Sequence, residues 1–260
     1  MDSAFVFSGF LVGLLVGVTG VGGGSLLTPL LILVFGVAPI TAVGTDLMFA
    51  ALTKTGGVIV HSRNQQVDWR VVRQMALGSV PAALLTLAVL HYLDAGDKDI
   101  GRVITPILGF MLVVTALALL AKASILKQRD RNATIQRLRA TLPAGPFATA
   151  LGAILGFLVT LTSIGAGAFG VVALLILKPH MSIQRVVGTD IAHAIPLTLV
   201  GGMGFAMFGL VNWPLLINLL LGSLPGIWIG SKWSNRMPEK WLQTFLAIML
   251  MIIGSRIVAA

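Results

Sequence analysis

Apolar positions fill most of this chain in blocks of membrane-spanning length, with polar positions gathered in short intervals between them. About 20 apolar residues cross a bilayer as a helix, and the pattern predicts long helices near 40–61, 71–92, 101–121, 183–208, 213–230 and 240–258. Two further stretches, 4–36 and 146–178, exceed one span, and each carries glycines at its middle. A glycine costs about 1 kcal/mol relative to alanine inside a helix, so Gly22-Gly23-Gly24 predicts a break. Each stretch therefore reads as two short helices around a glycine-rich turn.

The chain also repeats itself. At an offset of 144 residues, Val43-Gly44-Thr45-Asp46 returns as Val187-Gly188-Thr189-Asp190, and Leu77-Gly78-Ser79-Val80-Pro81 returns as Leu221-Gly222-Ser223-Leu224-Pro225. Asp68-Trp69 matches Asn212-Trp213, and the glycine runs align with a one-residue slip. The repeat divides the chain into a first transmembrane half at 1–122, a basic linker at 123–145 and a second half at 146–260.

With five segments per half, the second half inverts relative to the first. Lysine and arginine then divide 14 to 3 between the two sides, with Lys54 inside the membrane; single spans at the broken stretches would give 10 to 7. The positive-inside tendency favours the inverted arrangement. The expected fold is an all-α integral membrane protein, an inverted 5+5 repeat whose first two helices in each half are short and broken at a glycine-rich turn. Both termini and the acidic loop at 94–99 are expected outside, and the basic linker on the cytoplasmic surface.

Composition agrees with a bilayer as the main solvent. Hydrophobic residues make up 57% and charged residues 10%, against about 25% charged in soluble domains. The first segment lacks a basic n-region and continues into the repeat, so it is read as structure and not as a cleaved signal peptide. The net charge of +9 is explained by topology, so no nucleic-acid partner is expected. Cysteine is absent and the four histidines are widely spaced. Neither a cofactor nor a metal site is expected, and no nucleophile and base constellation points to an enzyme.

The polar residues inside the spans are the candidate site. Backbone at a helix break within the membrane must be buried in protein or line a cavity. Amides at Gly22, Gly23, Gly24 and Ser25, and at Ser163, Gly165, Ala166 and Gly167, are placed to meet an anion; the alternative is close helix packing through small residues. Thr45 and Thr189 add hydroxyls. Asp46 and Asp190 either fix the broken helices, with Thr41 or Ser182 capping, or relay protons or cations, and His193 could join them as a hydrogen-bond partner or proton site. Lys54, with Thr198 at the equivalent position, makes the region electropositive on one side only; it binds an anion, balances Asp46, or snorkels.

The run from Gly13 to Gly24, together with Pro29, Ala42-Val43-Gly44-Thr45-Asp46 and Gly188-Thr189-Asp190, resembles the sulfite exporter TauE/SafE family, the TSUP group of bacterial membrane transporters. The resemblance spans nearly the whole chain. It implies a proton-coupled secondary transporter of small sulfur-containing anions such as sulfite, sulfoacetate and related sulfonates in the bacterial inner membrane. It also implies that the two glycine loops, Thr45, Asp46 and Lys54 lie in the binding region. A passive anion channel and a carrier of a non-sulfur carboxylate are the alternative readings. Expected partners are a small anion and the lipid bilayer, with monomer and homodimer both open.

Overall fold

The computed structural model describes residues 3–19, 24–63, 65–93, 106–107, 109–118, 120, 144–164, 167–178, 181–233 and 239–259. Among these residues the protein is all-helical, with no strand. The helices are α1 (Ser3–Thr19), α2 (Gly24–Leu33), α3 (Pro39–Arg63), α4 (Trp69–Tyr92), α5 (Gly109–Ala118), α6 (Ala144–Thr162), α7 (Ala168–Leu177), α8 (Ile183–Met207), α9 (Trp213–Trp233) and α10 (Glu239–Ala259). Among the described residues, four stretches are long and apolar enough to cross a membrane by length and composition: Trp69–Tyr92, Gly145–Thr162, Ile183–Met207 and Trp213–Gly230.

Helix positions follow the hydrophobic pattern. The segments expected near 40–61, 71–92, 183–208, 213–230 and 240–258 are α3, α4, α8, α9 and α10, and α5 is the described part of the segment at 101–121. The stretches 4–36 and 146–178 hold two helices each, α1 with α2 and α6 with α7. The expected glycine breaks at 20–23 and 165–166, the loop at 94–99 and the linker through residue 143 lie outside the described residues.

Large apolar side chains such as Phe7, Leu77, Leu85, Leu224 and Trp228 are exposed on the outside of the bundle, as a lipid-facing surface requires. Small residues line the inside. A Cβ at Gly9 would stand 2.3 Å from the Leu219 carbonyl oxygen, and one at Gly13 2.3 Å from that of Ser223. In the second such pair, Gly152 and Gly156 would meet the carbonyls of Met75 and Ser79 at 2.0 and 2.4 Å. Only glycine lets the backbones come this close, the usual means of joining helices where lipid offers no hydrophobic contrast.

These contacts fix helix directions. Gly9 and Gly13 advance along α1 as Leu219 and Ser223 advance along α9, so the two run parallel; α6 and α4 are parallel by the same logic. At the centre, Gly44 faces Phe205 while Gly202 faces Met48, so α3 and α8 are antiparallel. The main apolar core packs around this central pair, with Leu47, Phe49, Leu87, Leu112, Leu197, Phe205 and Leu219. A second cluster joins Val71 and Met75 of α4 to Leu155 of α6 and Val171, Leu174 and Leu175 of α7.

Candidate functional site

Polar residues are buried along the central helices where the apolar core would otherwise be continuous: Thr45, Asp46 and Lys54 on α3, and Thr189, Asp190, His193 and Thr198 on α8. A charge removed from solvent is tolerated only with compensating partners. Thr28 of α2 supplies one, its hydroxyl donating to Asp46 Oδ2. For Asp190 room is left as well. Gly170 of α7 sits against its carboxylate, and a Cβ there would fall 1.7 Å from Oδ1.

Lys54 links these groups. Its ammonium lies close enough to Asp190 and Asp46 to be attracted by both, and its charge also acts on His193. His193 Nε2 shares a 2.9 Å hydrogen bond with Ser79 Oγ of α4. At the 144-residue offset, Phe49 stands where His193 is, Val172 where Thr28 is, and Thr198 where Lys54 is. The Thr198 hydroxyl returns to its own helix, at 2.8 Å from the Ala194 carbonyl. Positions that match in the sequence at this offset thus differ in charge.

Ser163 follows the last residue of α6, with φ 55° in the left-handed region, and is buried beside Asp46. Its hydroxyl couples to the carboxylate, yet makes no hydrogen bond of ordinary geometry. Thr162 holds the turn: its hydroxyl donates to Leu158 O at 2.7 Å and accepts from Ile164 N at 3.2 Å. Gly167 precedes α7 with φ 149°, a conformation that favours glycine.

Thr45 and Thr189 hold helix starts together across the repeat. The Thr45 hydroxyl accepts from Asn212 N at 3.0 Å, and the Thr189 hydroxyl accepts from Asp68 N at 2.9 Å. Thr189 also donates to Arg185 O at 2.6 Å. Asp68 and Asn212 in turn cap α4 and α9, accepting from Val71 N and Leu215 N. The two threonines therefore anchor helix starts 167 and 121 residues away with the same kind of bond.

The structure brings Asp46, Lys54, Asp190, His193 and Ser163 into one region, and adds Thr28 and Ser79. Gly24 opens α2 and Gly167 precedes α7. Gly22, Gly23, Gly165 and Ala166 lie outside the described residues, as does the side chain of Ser25. Ser182 caps α8 by accepting from Arg185 N at 3.3 Å, whereas Thr41 falls inside α3, which starts at Pro39, and so is not its cap. Ser79 escaped the sequence reading as a site residue although it sits in the repeated Leu-Gly-Ser block; a hydroxyl in an apolar span was the available signal. Thr28, too, was not singled out as a site residue.

The family model described as "Sulfite exporter TauE/SafE" matches residues 5–257. The chain is 37% identical over 258 residues to "Probable membrane transporter protein YjnA" of Bacillus subtilis (strain 168), covering 99% of this chain and 100% of that protein. It is 31% identical over 253 residues to "Probable membrane transporter protein YdhB" of the same organism, covering 94% and 95%. A "Probable membrane transporter protein" of Xylella fastidiosa (strain Temecula1) is 27% identical over 231 residues, covering 88% and 84%. No solved structure matches the chain.

Proposed function

Since the chain belongs to the sulfite exporter TauE/SafE family of membrane transporters, we propose that it is a secondary transporter of small sulfur-containing anions, sulfite, sulfoacetate or related sulfonates, in the bacterial inner membrane. One observation carries the choice of an anion: the ammonium of Lys54, buried in an apolar bundle and shared between Asp46 and Asp190. A sulfonate or sulfite presents several oxygens to one ammonium, and such charge-assisted hydrogen bonds are among the stronger ones. The anion competes with the carboxylates for Lys54. The sequence expectation that the glycine runs at Gly22 to Ser25 and Ser163 to Gly167 offer amide and hydroxyl donors fits a small anion of this kind.

Alternating access follows from the repeat. Antiparallel α3 and α8, with α1 parallel to α9 and α6 parallel to α4, are the relations an inverted duplication would produce, and they support that topology. Transport then proceeds by rocking one broken-helix unit against the other around a fixed central site. Orientation follows from charge. Arg185 and Asp68 pair at 3.8 Å where α8 and α4 begin, whereas the equivalent positions at the other end, Thr41 and Asn212, are uncharged. The basic end faces the cytoplasm and both termini face the periplasm. Transport is coupled to a cation, for which the sequence expectation is a proton carried among Asp46, Asp190 and His193.

The test is ligand-dependent thermal stabilisation of the purified protein with sulfite, thiosulfate, sulfoacetate, taurine and simple carboxylates, since a ligand that binds only the folded state raises its stability. Stabilisation by sulfur oxyanions that disappears in Lys54→Met is expected. A response to carboxylates alone would reassign the substrate, and a sulfur-oxyanion response unchanged in Lys54→Met would remove Lys54 from the site.

A further inference from the structure

Among the described residues, three buried side-chain oxygens make no hydrogen bond of ordinary geometry: Asp46 Oδ1, Thr160 Oγ1 and Ser163 Oγ. Two of them adjoin, because Ser163 stands beside the Asp46 carboxylate. The third, Thr160, is fully buried and lies three residues before Ser163, close to one turn back on the same side of α6. Asp46 Oδ2 is already held by Thr28, so its second oxygen is the one left over. A buried polar atom without a partner loses its hydration for nothing, and three in one neighbourhood mark a place built for something else.

Charge points the same way. The central cluster holds two acidic side chains, Asp46 and Asp190, one lysine, Lys54, and the imidazole of His193. Among the described residues there, acidic side chains outnumber the lysine by one. The carboxyl end of α6 carries the partial negative charge of the helix, and Ser163 comes directly after it. The unfilled demand is for one positive charge with oxygen ligands, next to a helix C-terminus.

We propose that Asp46 Oδ1 and Ser163 Oγ, with Thr160 Oγ1 behind them, form a binding site for a sodium ion. An all-oxygen set suits a hard cation, and a single uncompensated charge suits a monovalent one. A proton on Asp46 Oδ1 would balance the charge and donate to Ser163 Oγ, but it would leave Thr160 and the remaining lone pairs of these oxygens unused. Sodium uses them. The site stands on these oxygens alone; its role in coupling rests on the transport reading above. With sodium on Asp46, Lys54 faces one carboxylate, Asp190, in place of two, and meets an anion more readily. Cation and anion then strengthen each other's binding by the same factor, as linkage requires.

The experiment is thermal unfolding of the full-length protein at fixed pH and ionic strength, with sodium salts exchanged for choline salts and with or without sulfite, alongside radiolabelled sodium binding. Wild type should bind sodium saturably and be stabilised by it. Ser163→Ala and Thr160→Val, both conservative, should weaken apparent sodium affinity tenfold or more, while Thr55→Ala, whose hydroxyl bonds only the Ala51 carbonyl, should not. Asp46→Asn should abolish the response if it folds; the two hydroxyl variants decide the matter if it does not. Wild type indifferent to sodium, or a sodium response unchanged in both hydroxyl variants, would overturn the site. Sodium binding without any sulfite effect would leave the site and remove the substrate reading; sulfite binding independent of sodium would do the reverse.

Discussion

Replacing Gly78 by alanine asks whether the two halves are joined as tightly as the backbone contacts imply. A Cβ at Gly78 would stand 1.9 Å from the Thr149 carbonyl oxygen and 2.8 Å from Ala153 N, both backbone atoms of α6 that cannot rotate away. An ordinary contact needs about 3.4 Å, so α4 and α6 must part by roughly 1.5 Å along a seam that Gly152 and Gly156 also keep close. A gap of even 0.5–1 Å forfeits about a quarter to a half of each dispersion contact. Overpacking of this kind costs about 1–3 kcal/mol, and the immovable obstacle places Gly78→Ala at the upper end. Gly145→Ala on the same seam is the control. Its Cβ would meet only the Gln74 side-chain end at 3.3 Å, which can move, so the loss there should be small. Thermal and denaturant unfolding in detergent reads both. Equal stability of the two variants would refute the close approach of α4 to α6.

Other outcomes follow from the same geometry. Thr45→Val and Thr189→Val each leave one backbone amide, of Asn212 or Asp68, without its acceptor, and each should lose about 1–3 kcal/mol in unfolding experiments; loss of anion affinity without loss of stability would make the hydroxyl a ligand instead. Asp68→Asn with Arg185→Thr copies the uncharged Asn212 and Thr41 pair, and because the ion pair is partly exposed at 3.8 Å a double-mutant cycle should give a coupling under about 1 kcal/mol. Lys54→Met strips the shared counter-charge from Asp46 and Asp190 and should lose roughly 3–5 kcal/mol, with Asp190→Asn restoring part of it; no rescue would deny the attraction between Lys54 and Asp190.

The helices were legible because period and length are local properties, and lipid demands long apolar runs. Which helices touch was not legible. The packing of α1 on α9 and α6 on α4 depends on glycines whose partners lie more than 70 residues away, and nothing in the Gly9 or Gly152 neighbourhood names a partner. Thr45 and Thr189 illustrate the same limit. A threonine beside a buried aspartate reads as ligand or cap, while its bond to a helix start in the other half appears only when the halves meet. Asp46, Lys54, Asp190 and His193 stood out because charge within an apolar span needs a reason. Ser79 and Thr160 did not, since a hydroxyl inside a membrane helix can usually satisfy itself on its own backbone, as Thr86 does with Ala82 O.

The most direct test of anion transport is counterflow in proteoliposomes: vesicles holding the purified protein and loaded with unlabelled sulfite are diluted into labelled sulfite. A carrier should give a transient, saturable accumulation of label, lost in Lys54→Met and absent with simple carboxylates. Flux that rises linearly without counterflow, or no sulfite flux from correctly folded protein, would contradict it.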